Sequence, residues 1–176
     1  MHRFVAGVVV FSLSAAAPAF AELQASAADG FVVSHVFELS VDPQNAYRSL
    51  GQPQAWWPAA HTWSGKSANL SLEMRAGGSF YETWDAGSAE HGRVVMAQPG
   101  KLLRLVAALG PLQEMAVSGA LTVSLEAHDK GTRVKVTYRV TGDSSHALTG
   151  LAPVVDSVIG EQFGRFARYA NEGRID

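Results

Sequence analysis

Most of the chain alternates apolar and polar residues in short runs, and its last stretch changes to helical spacing. In Gly30 to Ser40, Phe31, Val33, His35, Phe37 and Leu39 fall on one face, with Ser34, Glu38 and Ser40 on the other. That period of two predicts a half-buried strand. Asp42-Pro43 then opens a helix, with Asp as N-cap and Pro in the first position. It runs to Leu50 and stops at Gly51. A second short helical piece covers Pro53 to Ala60, and His61 to Gly65 reads as loop. Further strands are predicted at Ser67 to Arg75, Ser79 to Asp85, Glu90 to Ala97, Leu102 to Ala107, Gly119 to Ala127 and Arg133 to Thr141. The turn signals between them are Gly77-Gly78, Ala86-Gly87-Ser88, Pro99-Gly100 and Asp129-Lys130-Gly131. Leu109 to Val117 is an apolar loop, broken by Gly110-Pro111.

The final stretch, Leu151 to about Glu172, places Leu151, Val155, Val158, Ile159, Phe163, Phe166 and Ala170 at steps of three and four. Asp156, Glu161, Arg165, Arg168 and Glu172 occupy the other face, and Gly173 supplies the stop. At about 1.5 Å per residue this helix is roughly 30 Å long and needs a broad apolar surface to lie on. The predicted class is therefore α+β. A curved antiparallel sheet of about seven strands wraps a long C-terminal helix, with two short helices after the first strand. Such an arrangement encloses a cavity between sheet and helix.

Composition changes this picture at the N-terminus. His2 and Arg3 precede an apolar run from Phe4 to Leu13, and Ala19-Phe20-Ala21 is an A-x-A cleavage signal. The apolar run is shorter than the ~20 residues that span a bilayer. Residues 1–21 read as a signal peptide cleaved before Glu22, residues 22–29 as a loose lead-in, and residues 30–173 as one domain. The expected location is the periplasm or the medium, with no stable membrane insertion after cleavage. The chain has no cysteine, so it relies on its core. Its formal charge of -2 and lack of a basic stripe argue against a nucleic-acid partner.

Several local motifs, taken in order, carry a resemblance. They are Trp56-Trp57-Pro58, Arg75-Ala76-Gly77-Gly78-Ser79-Phe80, His91-Gly92-Arg93-Val94, Pro99-Gly100-Lys101-Leu102-Leu103 and Gly131-Thr132. From about Phe31 to Tyr169 the chain resembles the START-like, or SRPBCC, superfamily with its helix-grip fold. The nearest branch is the one shared by polyketide cyclase/dehydrase-like proteins and heat-shock ATPase activator homologues. The resemblance implies a cavity whose mouth lies beside the Trp56-Trp57 segment. Members range from lipid carriers to cyclases and co-chaperone regulators, so it does not fix a function.

The candidate chemistry is sparse. His35, His61, His91, His128 and His146 show neither H-x-H nor H-E-x-x-H spacing, and G-x-S-x-G is absent. No metal, cofactor or catalytic residue is assigned. Trp56, Trp57 and Trp63 cluster around the second helix, either plugging one end of the fold or lining a ligand entrance. The apolar loop containing Met115 is expected to cover the cavity. A three-residue turn at Ala76 to Gly78 pairs Met74 with Phe80 and turns Phe80, Glu82 and Trp84 inward. An even turn around Gly87-Ser88 then sets Arg93 opposite Glu82, as an ion pair on the cavity wall. The candidate ligand-binding residues are Trp57, Trp63, Phe80, Glu82, Trp84, Arg93, Met115 and Phe163. Three functions remain open. One is an exported binding protein for a small apolar or amphipathic molecule. The second is a cyclase/dehydrase-type enzyme using Glu82 and His91. The third is a protein-interaction module without ligand.

Overall fold

A computed structural model describes residues 20–175. Eight antiparallel strands form one open sheet, in spatial order β1-β2-β8-β7-β6-β5-β4-β3. They are β1 (Phe20–Ala27), β2 (Gly30–Leu39), β3 (Leu70–Leu72), β4 (Ser79–Trp84), β5 (Gly87–Gln98), β6 (Leu102–Val106), β7 (Ser118–His128) and β8 (Gly131–Thr141). Helices α1 (Pro43–Leu50) and α2 (Pro53–Trp56) carry the chain from β2 to the far edge at β3. The chain then meanders back strand by strand until β8 pairs with β2. Helix α3 (Ala152–Glu172) lies across the inner face, giving the helix-grip arrangement.

Local signals account for the helices. The Asp42 carboxylate accepts the N–H groups of Gln44 and Asn45 at 2.9 Å each, capping α1. Gly173, at φ +73°, closes α3 in the left-handed conformation, its N–H bonded to the Tyr169 carbonyl. The alternating faces of β2 and β8 are as the pattern predicts. Phe31, Val33, Phe37 and Leu39 are buried, as are Val134, Val136, Tyr138 and Val140 opposite them. On the outer face Glu38 stands opposite Arg133 and pairs with it at 2.6 Å. His35 is buried and holds the Asp156 carboxylate of α3 at 2.9 Å, tying helix to sheet.

Three expectations need correction. The stretch read as a loose lead-in, residues 22–29, is largely strand: β1 pairs with β2 from Phe20↔Val36 to Ala27↔Gly30. It occupies the backbone edge of β2 that β8 leaves open, where unpaired groups would otherwise face water. Among the described residues the count is therefore eight strands rather than about seven. Residues 1–19 of the expected signal peptide lie outside the described residues. The second correction is in register. β3 ends at Leu72, which pairs with Phe80 in place of Met74. The shift is by two, so the parity survives and Leu70, Leu72, Phe80 and Glu82 still share the inner face.

The third correction concerns Arg93. The β4–β5 hairpin turns at Asp85-Ala86, and Glu82 lies opposite Ala89. A bulge follows, since Tyr81 pairs with Glu90 and Phe80 with Gly92, leaving His91 as the extra residue. Without the bulge Arg93 would share Glu82's face; the extra residue turns it outward. Arg93 is exposed and bonds Glu90 and the Gly77 carbonyl, so no Glu82–Arg93 pair exists.

Candidate functional site

The bulge that expels Arg93 leaves His91 facing inward, on the face of Ala89 and Glu82. His91 is 3 % exposed, and its Nε2 lies 3.1 Å from the Glu82 carboxylate. Glu82 is wholly buried and accepts three more hydrogen bonds, all from one loop. These come from the N–H of Trp63 at 2.6 Å, the N–H of Ser64 at 3.0 Å and the Ser64 hydroxyl at 2.5 Å. Burial raises the Glu82 pKa. The loop donors and His91 outweigh that, leaving it below the ordinary carboxylate value. Burial lowers the pKa of His91, and Glu82 only partly offsets it. At neutral pH the pair is therefore a carboxylate and a neutral imidazole donating through Nε2.

Behind this wall runs a chain of aromatic rings. Phe166 meets Trp56 edge-on at 5.4 Å, and Trp56 meets Trp57 at 5.4 Å. Trp57 meets Phe80 at 5.1 Å, and Phe80 meets His91 at 4.9 Å. The indole N–H groups are satisfied, Trp56 by the Ser49 carbonyl and Trp57 by that of His61. Arg165 of α3 donates to the Trp56 carbonyl at 2.9 Å, fastening the tryptophan segment to the helix.

In front of the rings lies a cavity of about 460 Å³, within the 300–1,000 Å³ usual for small-molecule sites. Its walls are Trp57 and the segment from Ala60 to Trp63, the segment from Leu109 to Leu112 with Met115, and the first half of α3. His91 and Tyr138 line it from the sheet. Trp63 and Val154, 47 % and 63 % exposed, stand at the mouth. None of the lining residues is Lys, Arg, Asp or Glu. The apolar stripe of α3 thus divides in two. Phe163, Phe166 and Ala170 pack into the core, whereas Leu151, Val155 and Val158 are half-buried and line the cavity.

The loop expected to cover the cavity does so as a 3₁₀ turn, Gly110–Met115, with Leu112 buried. Two bonds hold it: Gln113 Nε2 to the Glu90 carbonyl at 2.7 Å, and the Leu109 N–H to the Tyr138 hydroxyl at 3.1 Å. Tyr138 also donates to the Ala107 carbonyl at 2.9 Å. Burial pushes its phenol pKa up to about 12, the Leu109 N–H only partly opposing it. Tyr138→Phe should cost about 1–3 kcal/mol, because the buried Leu109 N–H and Ala107 carbonyl lose their partner. A lower urea midpoint at unchanged slope, with faster amide exchange at Leu109, is the expected measurement. Unchanged exchange at Leu109 would show that the turn is held elsewhere.

Of the residues predicted to bind ligand, Trp57, Trp63 and Met115 line the cavity. Phe80 and Phe163 are buried in the ring chain behind it. Glu82 is one layer back, saturated by its donors. Trp84 is half-buried beside Gly87 at the hairpin, and Arg93 is on the outer face. Most of the other lining residues were not among those predicted to bind, two polar ones, His61 and Gln162, included. His61 reads as loop in the sequence. Gln162 is polar yet sits inside the α3 stripe, three residues after Ile159 and four before Phe166, which is the signal that marks it. It is 3 % exposed, and its Nε2 lies 3.3 Å from His61 Nδ1. Its Oε1 is buried without a partner, a state that costs about 1–3 kcal/mol. Among the described residues no three side chains could together hold a metal, and no helix is long and apolar enough to cross a membrane.

No protein-family model and no curated protein sequence matches the chain. Solved structures do match it in fold. The solution structure of the Aha1 dimer from Colwellia psychrerythraea aligns with a TM-score of 0.60 at 15% identity, over 82% of this chain and 98% of that one. A crystal structure from Chromobacterium violaceum gives 0.55 at 16% identity, over 79% and 96%. An uncharacterized protein from Rhizobium leguminosarum gives 0.56 at 18% identity, over 88% and 98%. The class these likenesses and the topology define is a helix-grip domain with an internal cavity.

Proposed function

We propose that this chain is a START-like (SRPBCC) domain that binds a small, largely apolar molecule between its sheet and its C-terminal helix, without chemistry. The observation that carries this reading is the cavity, roomy, mouthed by Trp63 and Val154, and without a charged residue in its lining. Apolar concavities with a few polar groups are the usual form of ligand sites. The leader read in residues 1–21 supports a protein exported to the periplasm or beyond. The enzyme alternative needs Glu82, together with His91, as an acid or base within reach of substrate. Its carboxylate is wholly buried, already accepts four hydrogen bonds and has a lowered pKa, so it has no proton to give and no open side.

The test uses N-phenyl-1-naphthylamine, a neutral probe that fluoresces in apolar surroundings. Saturable binding at one site is expected. Val158→Trp, which fills the cavity from α3, should weaken it at least tenfold while leaving the circular dichroism unchanged. Binding that is absent, or indifferent to Val158→Trp in a folded variant, would remove the proposal.

A further inference from the structure

We infer that the natural ligand is an uncharged apolar molecule carrying a hydroxyl group, which is read by the side-chain amide of Gln162. This rests on the reading that the cavity holds a ligand, and adds the chemistry of its one polar end. Gln162 is 97 % buried on a helix face otherwise made of Ile159, Phe163 and Phe166, where a leucine or methionine would pack without leaving any polar atom unmet. Its amide is half-used: Nε2 faces His61 Nδ1, and Oε1 has no partner. One other buried side-chain atom among the described residues shares that state, the Tyr47 hydroxyl, and Tyr47 does not line the cavity. The unmet atom therefore belongs to a residue of the ligand cavity.

The required complement follows from the donor and acceptor inventory. As oriented, the amide offers a carbonyl oxygen and asks for a donor. Turned about its last torsion, with His61 carrying its proton on Nδ1, it offers an N–H and asks for an acceptor. A hydroxyl satisfies either orientation, since it both donates and accepts. A carboxylate or an ammonium would enter a cavity without a lysine, arginine, aspartate or glutamate in its lining, where burying an unpaired charge is prohibitive. His91 offers no countercharge, because burial keeps it neutral and Glu82 occupies its Nε2. A bound water is the competing occupant. Water generally takes about three polar partners, and the neighbouring lining of α3, Leu151, Val155, Val158 and Ile159, supplies none from its side chains.

The experiment compares two probes of equal size on the full chain by calorimetry: 2-naphthol, and 2-methylnaphthalene with methyl in place of hydroxyl. Each is titrated into the parent, Gln162→Met and Gln162→Leu. The quantity read is the ratio of the two affinities, in which the difference in transfer from water cancels between proteins. The ratio favouring 2-naphthol is expected to fall by about two- to tenfold in both variants, the worth of one neutral hydrogen bond. The affinity for 2-methylnaphthalene should hold or rise. If Gln162→Leu does not fold, Gln162→Met, closer in shape, carries the comparison. A ratio that is the same in parent and variants overturns the inference and leaves the amide to a water. If neither probe binds the parent but N-phenyl-1-naphthylamine does, the inference falls alone. If none of the three binds, the proposed function falls with it.

Discussion

Glu82→Ala should destabilise the domain by about 3–5 kcal/mol, the combined cost of several hydrogen-bonding groups left unmet at about 1–3 kcal/mol each. The carboxylate is wholly buried and holds the loop at Trp63 and Ser64 to β4 through three bonds, while His91 contributes the fourth. Truncation leaves two backbone N–H groups and an imidazole N–H unmet, each a desolvated donor. It also frees Trp63 at the cavity mouth, so binding of N-phenyl-1-naphthylamine should weaken in the same variant. Acid should act through the same contacts. The lowered pKa of Glu82 means that its contribution is present above its ordinary value of 4.5 and is lost as pH falls through its folded value. The lowered pKa of His91 acts in the same sense. Stability begins to fall below 6.5, where the unfolded chain takes up a proton that the folded chain resists. Urea midpoints between pH 7 and 3 should show Glu82→Ala losing the lower of these two declines, and His91→Gln losing the upper. A Glu82→Ala cost below about 1 kcal/mol would mean that the loop is self-supporting.

Phe166→Ala is expected to cost about 3–5 kcal/mol as well, by a different route. The side chain is wholly buried, edge-on to Trp56 at 5.4 Å and 6.2 Å from Phe163. Deleting the ring removes its transfer free energy and opens a void that the stiff neighbouring rings cannot close. Because Trp56 leads through Trp57 to the cavity wall, ligand affinity should drop together with stability. Val154→Ala on the same helix, at a position 63 % exposed, should change stability by no more than about 0.5 kcal/mol. Equal midpoints for the two variants in urea would show that α3 does not anchor the core through this face.

The expected Glu82–Arg93 pairing shows where a sequence reading runs out. Glu82 was expected inside with a cation beside it. It is inside, but the partners are His91 and a loop, because one extra residue in β5 turns Arg93 outward and leaves His91 on the inner face. A bulge has no composition of its own here. His91-Gly92 reads as ordinary strand until the pairing with β4 is known. The lid and the two lining tryptophans were legible because apolar residues in a loop must be covered by something. Phe80 and Trp84 were placed in the site by strand parity and Phe163 by the stripe of α3, yet apolar character does not separate a cavity wall from the core packed behind it.

The alternation in β2 and β8, the spacing of α3 and the caps at Asp42 and Gly173 were determined by the sequence alone. Each depends on residues a few positions apart, and the backbone periods of two and 3.6 turn such patterns directly into faces. The strand β1, the register of β3 with β4, the outward turn of Arg93 and the half-used amide of Gln162 were decided only in the tertiary structure. These depend on which backbone edge is left open and on what packs opposite, contacts between residues far apart in the chain. The division of the α3 stripe is of the same kind. Its residues are uniformly apolar, and the shape of the sheet beneath them determines which half packs tightly and which half leaves a cavity.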